Sequence, residues 1–185
     1  MALSAVCGAF SSFIVYFSNN KEGVQTIAYW MMGSLAGAQW GELAVIAPII
    51  MASILFFWTQ SRVLNLMLLG DESAITMGTD LHAYRQWYLL ISSLIVGFAV
   101  YSAGMIGFVG LIVPHVIRMF TGPDHKRLLP VAALVGAIFL VVADGLCRVI
   151  IPHTELPIGI LISMVGAPSF IYLMIKKTYG FGGSD

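Results

Sequence analysis

The chain has 185 residues, of which 59% are hydrophobic and 10% are charged, with a formal net charge of zero and a mean hydropathy of +0.92. Soluble domains carry about 25% charged residues, so this chain has too few charges to build a water-facing surface, and lipid must solvate much of it. The zero net charge and the absence of a long basic run argue against nucleic acid as a partner.

Apolar runs along the chain predict about six membrane-spanning helices. The hydrocarbon core of a bilayer is about 30 Å thick and requires roughly 20 apolar residues per helix. Runs that approach this length lie at about 2–18, 41–58, 87–103, 105–119, 128–151 and 157–175. We therefore predict an all-α polytopic bundle, with one transmembrane domain over residues 1–177 and a flexible tail over 178–185.

Two connecting segments differ from these spans. The segment 24–36 is apolar but too short to cross, and its Tyr29 and Trp30 favour a short helix at the membrane interface. The segment 59–86 is the one substantial polar connection. Further along, Gly104, Gly107 and Gly110 recur every third residue, a pattern that favours close packing of helices in lipid.

The basic residues predict an orientation. If the connection 59–86 faces the cytoplasm, that side also receives most lysines and arginines: Arg62, Arg85, Arg118, Lys126, Arg127, Lys176 and Lys177. Lys21 and Arg148 lie on the opposite side. This positive-inside bias, combined with six crossings, places both termini in the cytoplasm. It also requires the short run 105–119, which contains Pro114, to traverse most of the membrane.

A series of motifs follows along the chain: Tyr29–Gly33 (YWMMG), Leu69–Ala74 (LGDESA), Gly107–Arg118 (GFVGLIVPHVIR), Gly122–Pro130 (GPDHKRLLP), Ala143-Asp144 with Arg148, Glu155–Gly159 (ELPIG) and Gly166–Pro168 (GAP). In this order they resemble the permease family of iron-siderophore, haem and vitamin B12 ABC importers, the FecCD-like permeases. The resemblance runs from about residue 2 to residue 177. Members of that family have more spans than are predicted here, and this chain resembles their C-terminal portion.

The resemblance implies a membrane-spanning subunit that moves iron chelates, haem or cobalamin across the cytoplasmic (inner) membrane by alternating access. It implies three protein partners: an ATP-binding subunit inside, a soluble substrate-binding protein outside, and a second permease subunit, with lipid around them. The sequence has no Gly-x-x-x-x-Gly-Lys-Ser/Thr phosphate loop, so we expect ATP hydrolysis on the separate subunit and no enzymatic activity here. No cofactor is expected.

The segment Gly70–Gly78 (GDESAITMG) has Asp71 placed to cap a short helix and Gly78 placed to end it. The residues alone also fit an ordinary solvated loop helix. The resemblance implies that this segment docks into the ATP-binding subunit and couples hydrolysis to transport. The residues implied in coupling are Gly70, Asp71, Glu72, Ser73, Ala74 and Gly78.

Other polar residues lie within or beside the spans. Asp144 and Arg148 are four residues apart, a spacing that allows an ion pair on one helix face, and the resemblance implies that Arg148 receives an acidic residue of the binding protein. The resemblance also places the first and sixth spans along the transport pathway. Its candidate lining residues are Ser4, Ser11, Ser12, Ser163 and Met164. Serine bonding back to its own helix is the alternative.

His115 lacks the partner ligands that a metal site needs, so we expect structural hydrogen bonding there and no metal or catalytic site. Three rival interpretations remain. One is an ion-coupled carrier that binds its ion at Asp144, although no inverted repeat is visible. Another is an intramembrane enzyme that uses His115, Asp144 or Glu155. The third is a truncated or structural fragment without transport activity of its own.

Overall fold

The structure is a computed structural model that describes residues 2–17, 21–150 and 156–179. The described residues form helices joined by short turns and contain no strand, which confirms the all-α prediction. In chain order the helices are α1 (Ala2–Phe17), α2 (Lys21–Met32), α3 (Trp40–Thr59), α4 (Ser61–Leu69), α5 (Asp71–Thr76), α6 (Leu81–Ala103), α7 (Val109–Thr121), α8 (His125–Ile150) and α9 (Ile158–Tyr179).

Three helices in the described part of the chain, α3, α6 and α8, are long and apolar enough to cross a membrane. They correspond to the predicted spans 41–58, 87–103 and 128–151. Shorter apolar helices, α1, α7 and residues 158–172 of α9, correspond to the other three predicted spans. The predicted tail began at residue 178, whereas α9 extends to Tyr179; residues 180–185 lie outside the described part.

Helix α6 begins at Leu81, several residues before the predicted span at 87. Asp80 precedes the helix, and its side-chain oxygen Oδ1 accepts a hydrogen bond of 2.9 Å from the backbone N–H of His82. This is the side-chain capping that stabilises a helix start. The first turns of α6 are polar, so an apolar-run criterion does not detect them, and the helix continues beyond its apolar part.

The helices present two opposite ends. At one end, which we call the polar end (α4, α5 and residues 122–127), the Trp58 ring N–H donates to the Lys126 carbonyl at 3.0 Å. At the other, the junction end (residues 33–39, 104–108 and 156–157), the Ser34 N–H donates to the Ala103 carbonyl at 2.9 Å. Helix α7 lies between residues 104–108 and residues 122–124, so it connects the two ends, as the predicted orientation requires of the run 105–119.

Close backbone packing at the junction end depends on Gly104. It has a φ of +69°, and a Cβ atom there would collide with the backbone carbonyl of Trp30. By contrast, Gly107 and Gly110 have open space where a Cβ would lie. The predicted packing role is therefore confirmed for Gly104 and wrong for the other two, because only Gly104 faces the end of α2.

Replacing Gly104 by alanine is expected to lower the free energy of unfolding by about 1–3 kcal/mol, the usual cost of overpacking a tight site. The added methyl group would meet a backbone carbonyl that cannot rotate away, at a φ that disfavours side chains. Denaturation in detergent, followed by circular dichroism, measures the change. Gly107→Ala is the matched control and should unfold like the unmodified chain; equal loss in both variants would contradict this packing account.

The buried core lies mainly where α8 and α9 meet. Ala143 and Cys147 on α8 pack with Ile158 and Ile162 on α9, and all four are almost fully buried. Cys147 is thus a buried free thiol, whereas Cys7 on α1 is exposed. Helix α1 contacts α2 but buries none of its residues, so its apolar surface is left for lipid or for further protein.

Candidate functional site

The segment Gly70–Gly78 folds into the short helix α5 and a tight turn at the polar end. The N–H of Thr79 donates to the Ala74 carbonyl at 3.0 Å, and the N–H of Gly78 donates to the Ile75 carbonyl at 2.9 Å. Gly78 has a φ of +77°. This pair of bonds around a left-handed glycine is the Schellman arrangement that ends helices, so the predicted role of Gly78 is confirmed.

The predicted capping role of Asp71 is wrong. Gly70 occupies the capping position, and Asp71 is the first residue of the helix. Its carboxylate instead accepts a hydrogen bond of 2.8 Å from the guanidinium of Arg85 on α6. A charged donor in reach competes well against a backbone N–H, and a carboxylate in a first helical turn also interacts favourably with the exposed N–H groups there.

Helix α5 has an anchored face and a presented face. Ala74 has no exposed surface, and α5 packs against α4 and α6. By contrast, Ile75 is 69% exposed and Met77, the residue that follows the helix, is 60% exposed; we call the exposed surface of Glu72, Ile75 and Met77 the presented face. Glu72 is exposed beside them. These exposed side chains are available for contact with solvent, lipid or another protein.

A second polar cluster at this end joins α4 to the corner between α7 and α8. The Asn65 side-chain N–H₂ donates to Asp124 Oδ1 at 2.7 Å, and the Asn65 side-chain oxygen accepts from the backbone N–H of His125 at 2.9 Å. The His125 ring atom Nδ1 lies 2.7 Å from the same oxygen. We call Asn65, Asp124 and His125 the clasp.

Asp124 also organises its own turn. Its Oδ1 accepts from the backbone N–H of Lys126 at 3.0 Å. The hydrogen bond from Asn65, followed by that from Lys126, holds the pKa of the Asp124 carboxyl below its usual range, since both bonds stabilise the charged form. The clasp was not predicted from the sequence. The one available signal was an asparagine within the apolar run of α4.

At the junction end, the Arg148 guanidinium donates to Asp144 Oδ2 at 2.8 Å. This is the predicted intrahelical pair. The Arg148 side chain is 52% exposed and that of Asp144 is 23% exposed, so Asp144 orients Arg148 without covering it. Glu155, which the sequence places nearby, lies outside the described residues.

The candidate lining residues lie on two helices, α1 and α9, and α2 packs against both. Ser4, Ser11 and Ser12 on α1 are exposed. Ser11 donates back to the Cys7 carbonyl at 3.0 Å. On α9, Ser163 is half-buried and Met164 is exposed. Between the described parts of α1 and α9 no extensive direct packing is formed, and α2 lies against both.

His115 is half-buried on α7. Within the residues that the structure describes, its ring has no hydrogen-bond partner, so the predicted structural bond is not formed there. No group of three histidine, cysteine or acidic side chains in the same described ranges is arranged to hold a metal ion.

The sequence profile of the FecCD transport family matches residues 1–176. The chain belongs to the FecCD transport family. Its relatives include the hemin transport system permease protein HmuU of Yersinia pestis, which is 41% identical over 96% of this chain and 53% of HmuU. The cobalamin import system permease protein BtuC of Halobacterium salinarum is 40% identical over 94% of this chain and 46% of its own length.

A solved structure shares the fold of this FecCD chain. An ABC transporter of the metal-chelate type in an inward-facing conformation has a TM-score of 0.89 and 34% identity, covering 95% of this chain and 57% of that one. The chain thus spans about half the length of the curated relatives it matches. Five basic residues of this FecCD chain lie toward the polar end. Arg62 is on α4, Arg85 is near the start of α6, Arg118 is near the end of α7, and Lys126 and Arg127 are at the start of α8.

Proposed function

We propose that this chain forms part of the membrane-spanning subunit of an ABC importer and corresponds to the C-terminal portion of the longer family domain. Its cargo would be an iron chelate, haem or cobalamin, moved by alternating access. The observation that carries the proposal is the 41% identity to a hemin permease across 96% of the chain, supported by the shared fold with an ABC transporter of the metal-chelate type.

The proposed orientation places the polar end in the cytoplasm and both termini on that side, with the chain in the cytoplasmic (inner) membrane. The clustering of described arginines and lysines toward the polar end supports it, because basic residues near membrane spans favour the cytoplasmic side. Arg148, at the other end of α8, would then face outward.

In this arrangement α5 is the coupling helix for a separate ATP-binding subunit. Its exposed Glu72, Ile75 and Met77 would contact that subunit, while Ala74 and the Asp71–Arg85 pair hold the helix against α4 and α6. Gly70 and Gly78 set the bounds of the rigid segment, and Ser73 lies half-buried within it. A short helix that packs against its neighbours at Ala74 and keeps Glu72, Ile75 and Met77 exposed is suited to receiving force.

Arg148 would receive an acidic group of the soluble binding protein on the outer face. Reversing its charge with Arg148→Glu is expected to weaken binding of the cargo-loaded binding protein by about tenfold, since a like charge would then oppose the partner. Binding to the permease in lipid nanodiscs, measured by surface plasmon resonance, tests this. Lys126→Glu makes the same charge change at the polar end and should not affect binding; unchanged affinity in Arg148→Glu would remove Arg148 from the site.

The pathway would be lined by α1 and α9, with Ser4, Ser11, Ser12, Ser163 and Met164 as candidate contacts, and completed by a second permease subunit. Such contacts should be weak, because cargo must leave as well as enter. The ion-coupled alternative receives no support at Asp144, whose carboxylate is paired with Arg148.

The test of the proposed function is uptake in proteoliposomes that contain the chain, its ATP-binding subunit and its binding protein. We expect uptake of one cargo class with ATP and none with a non-hydrolysable analogue. Uptake that persists without ATP and follows an ion gradient would favour a secondary carrier. Absence of uptake for iron chelate, haem and cobalamin alike would favour a structural fragment.

A further inference from the structure

The helix that leads into the coupling segment is tied to a distant part of the chain. Helix α4 ends at Leu69, one residue before Gly70 and α5. Asn65 on α4 makes both clasp contacts, one to the Asp124 carboxylate at 2.7 Å and one from the His125 N–H at 2.9 Å. The three clasp residues are all half-buried, so water competes less for these bonds than at an open surface.

A neighbouring tie reinforces the clasp. Trp58, near the end of α3, donates its ring N–H to the Lys126 carbonyl at 3.0 Å. The corner between α7 and α8 is therefore held by α3 through Trp58 and by α4 through Asn65. The two bonds join residues that are 68 and 59 positions apart in sequence, so they fix tertiary position and not local conformation.

The side-chain link from α5 to α6 is weaker. It is the Asp71–Arg85 ion pair, in which both side chains are more than half exposed. Exposed pairs of this kind contribute little to stability, because water and salt screen the two charges. The half-buried clasp is thus the firmer polar connection between the coupling region and the membrane helices.

From the clasp, a mechanical route runs along α8 to the junction end. Helix α8 has 26 residues, which at about 1.5 Å per residue makes a rod of roughly 39 Å. Near its far end Ala143 and Cys147 pack against Ile158 and Ile162 of α9, each 2% exposed or less. Close-packed interiors transmit displacement because they have little free volume.

We propose that Asn65 is a positioning residue that makes α4, α5 and the α7–α8 corner move as one body, so that movement of the coupling segment reaches α9 through α8. The proposal rests on the proposed function, because it requires an ATP-binding subunit that displaces α5. It assigns to Asn65 the transfer of movement, not contact with ATP, cargo or partner.

The first test is Asn65→Ala in the reconstituted complex. We expect ATP hydrolysis to stay within about twofold of the unmodified complex while uptake falls by about tenfold, a loss of coupling of the size seen between linked sites. A purely structural role would instead lower hydrolysis and uptake together, which would overturn the proposal. Arg62→Ala, on the exposed surface of the same helix, is the control and should keep both activities.

The second test restores the connection by chemistry. In a chain with the exposed Cys7 replaced by serine, Asn65→Cys and Asp124→Cys are introduced together and linked with a short bifunctional maleimide. Cys147 is buried and should not react. Linking should raise uptake above that of the unlinked double variant. No rise would overturn the proposal, and a further fall would in addition indicate that the two segments must move apart during transport.

Failure of the proposed function has a different signature. If the unmodified chain and Arg62→Ala both lack ATP-dependent uptake, the importer assignment fails and the role of the clasp fails with it. If both show uptake and Asn65→Ala shows the same uptake per ATP hydrolysed, the clasp proposal alone is overturned.

Discussion

Replacing Ala74 by aspartate is expected to reduce ATP-dependent uptake strongly while the chain remains inserted in the membrane and the partner subunit still hydrolyses ATP. Ala74 has no exposed surface and sits where α5 packs on α4 and α6. Removing a carboxylate from water costs several kcal/mol in proteins. We therefore expect α5 to detach from α4 and α6, because a helix of only six residues makes few other contacts that could hold it in place.

The size of this effect follows from that cost. Uptake should fall by about a hundredfold, the factor that corresponds to about 3 kcal/mol. The measurement is cargo uptake and phosphate release in the same proteoliposomes. His82→Asp adds the same carboxylate at an exposed position of the same end and should keep most uptake. Normal uptake per ATP in Ala74→Asp would contradict a coupling role for α5.

Changing both Ile75 and Met77 to serine is expected to weaken assembly with the ATP-binding subunit by about a hundredfold. Both are exposed apolar side chains on the presented face. Truncating an apolar side chain at the centre of an interface costs about 1–3 kcal/mol of binding free energy. The double change leaves the fold intact, since neither side chain is buried.

Affinity for the ATP-binding subunit can be measured by titration of the detergent-solubilised chain. Met119→Ser is a matched control, because Met119 is 66% exposed near the polar end of α7 but lies outside α5. Equal weakening in the control would indicate a general effect of apolar surface. Unchanged assembly in the double variant would exclude the presented face of α5 as the docking surface.

The sequence predicted the large features of the fold because lipid imposes a simple rule on span length and polarity. The apolar runs located α3, α6 and α8 to within a few residues, apart from the start of α6. That start lies in the polar stretch after Asp80, which extends the helix beyond its apolar part. Gly78 could be placed as a helix end because left-handed glycine has a local cause.

Features that depend on tertiary contacts were not predictable in the same way. Asp71 was expected to cap α5, but its partner Arg85 is 14 residues away on another helix. The contact between Asn65 and Asp124 spans 59 residues, and no local pattern marks it. Likewise, Gly104, Gly107 and Gly110 look equivalent in sequence, and only the position of Trp30 distinguishes Gly104.

The central claim is that the polar end lies in the cytoplasm, with α5 and the α7–α8 corner on the same side of the membrane. Single cysteines at Glu72, Lys126 and Trp40, each in the Cys7→Ser chain, can be labelled with a membrane-impermeant maleimide in intact spheroplasts and in inside-out vesicles. We expect Glu72→Cys and Lys126→Cys to react in inside-out vesicles and Trp40→Cys, at the start of α3, to react in spheroplasts. Labelling of Glu72→Cys and Lys126→Cys from opposite sides would contradict the account.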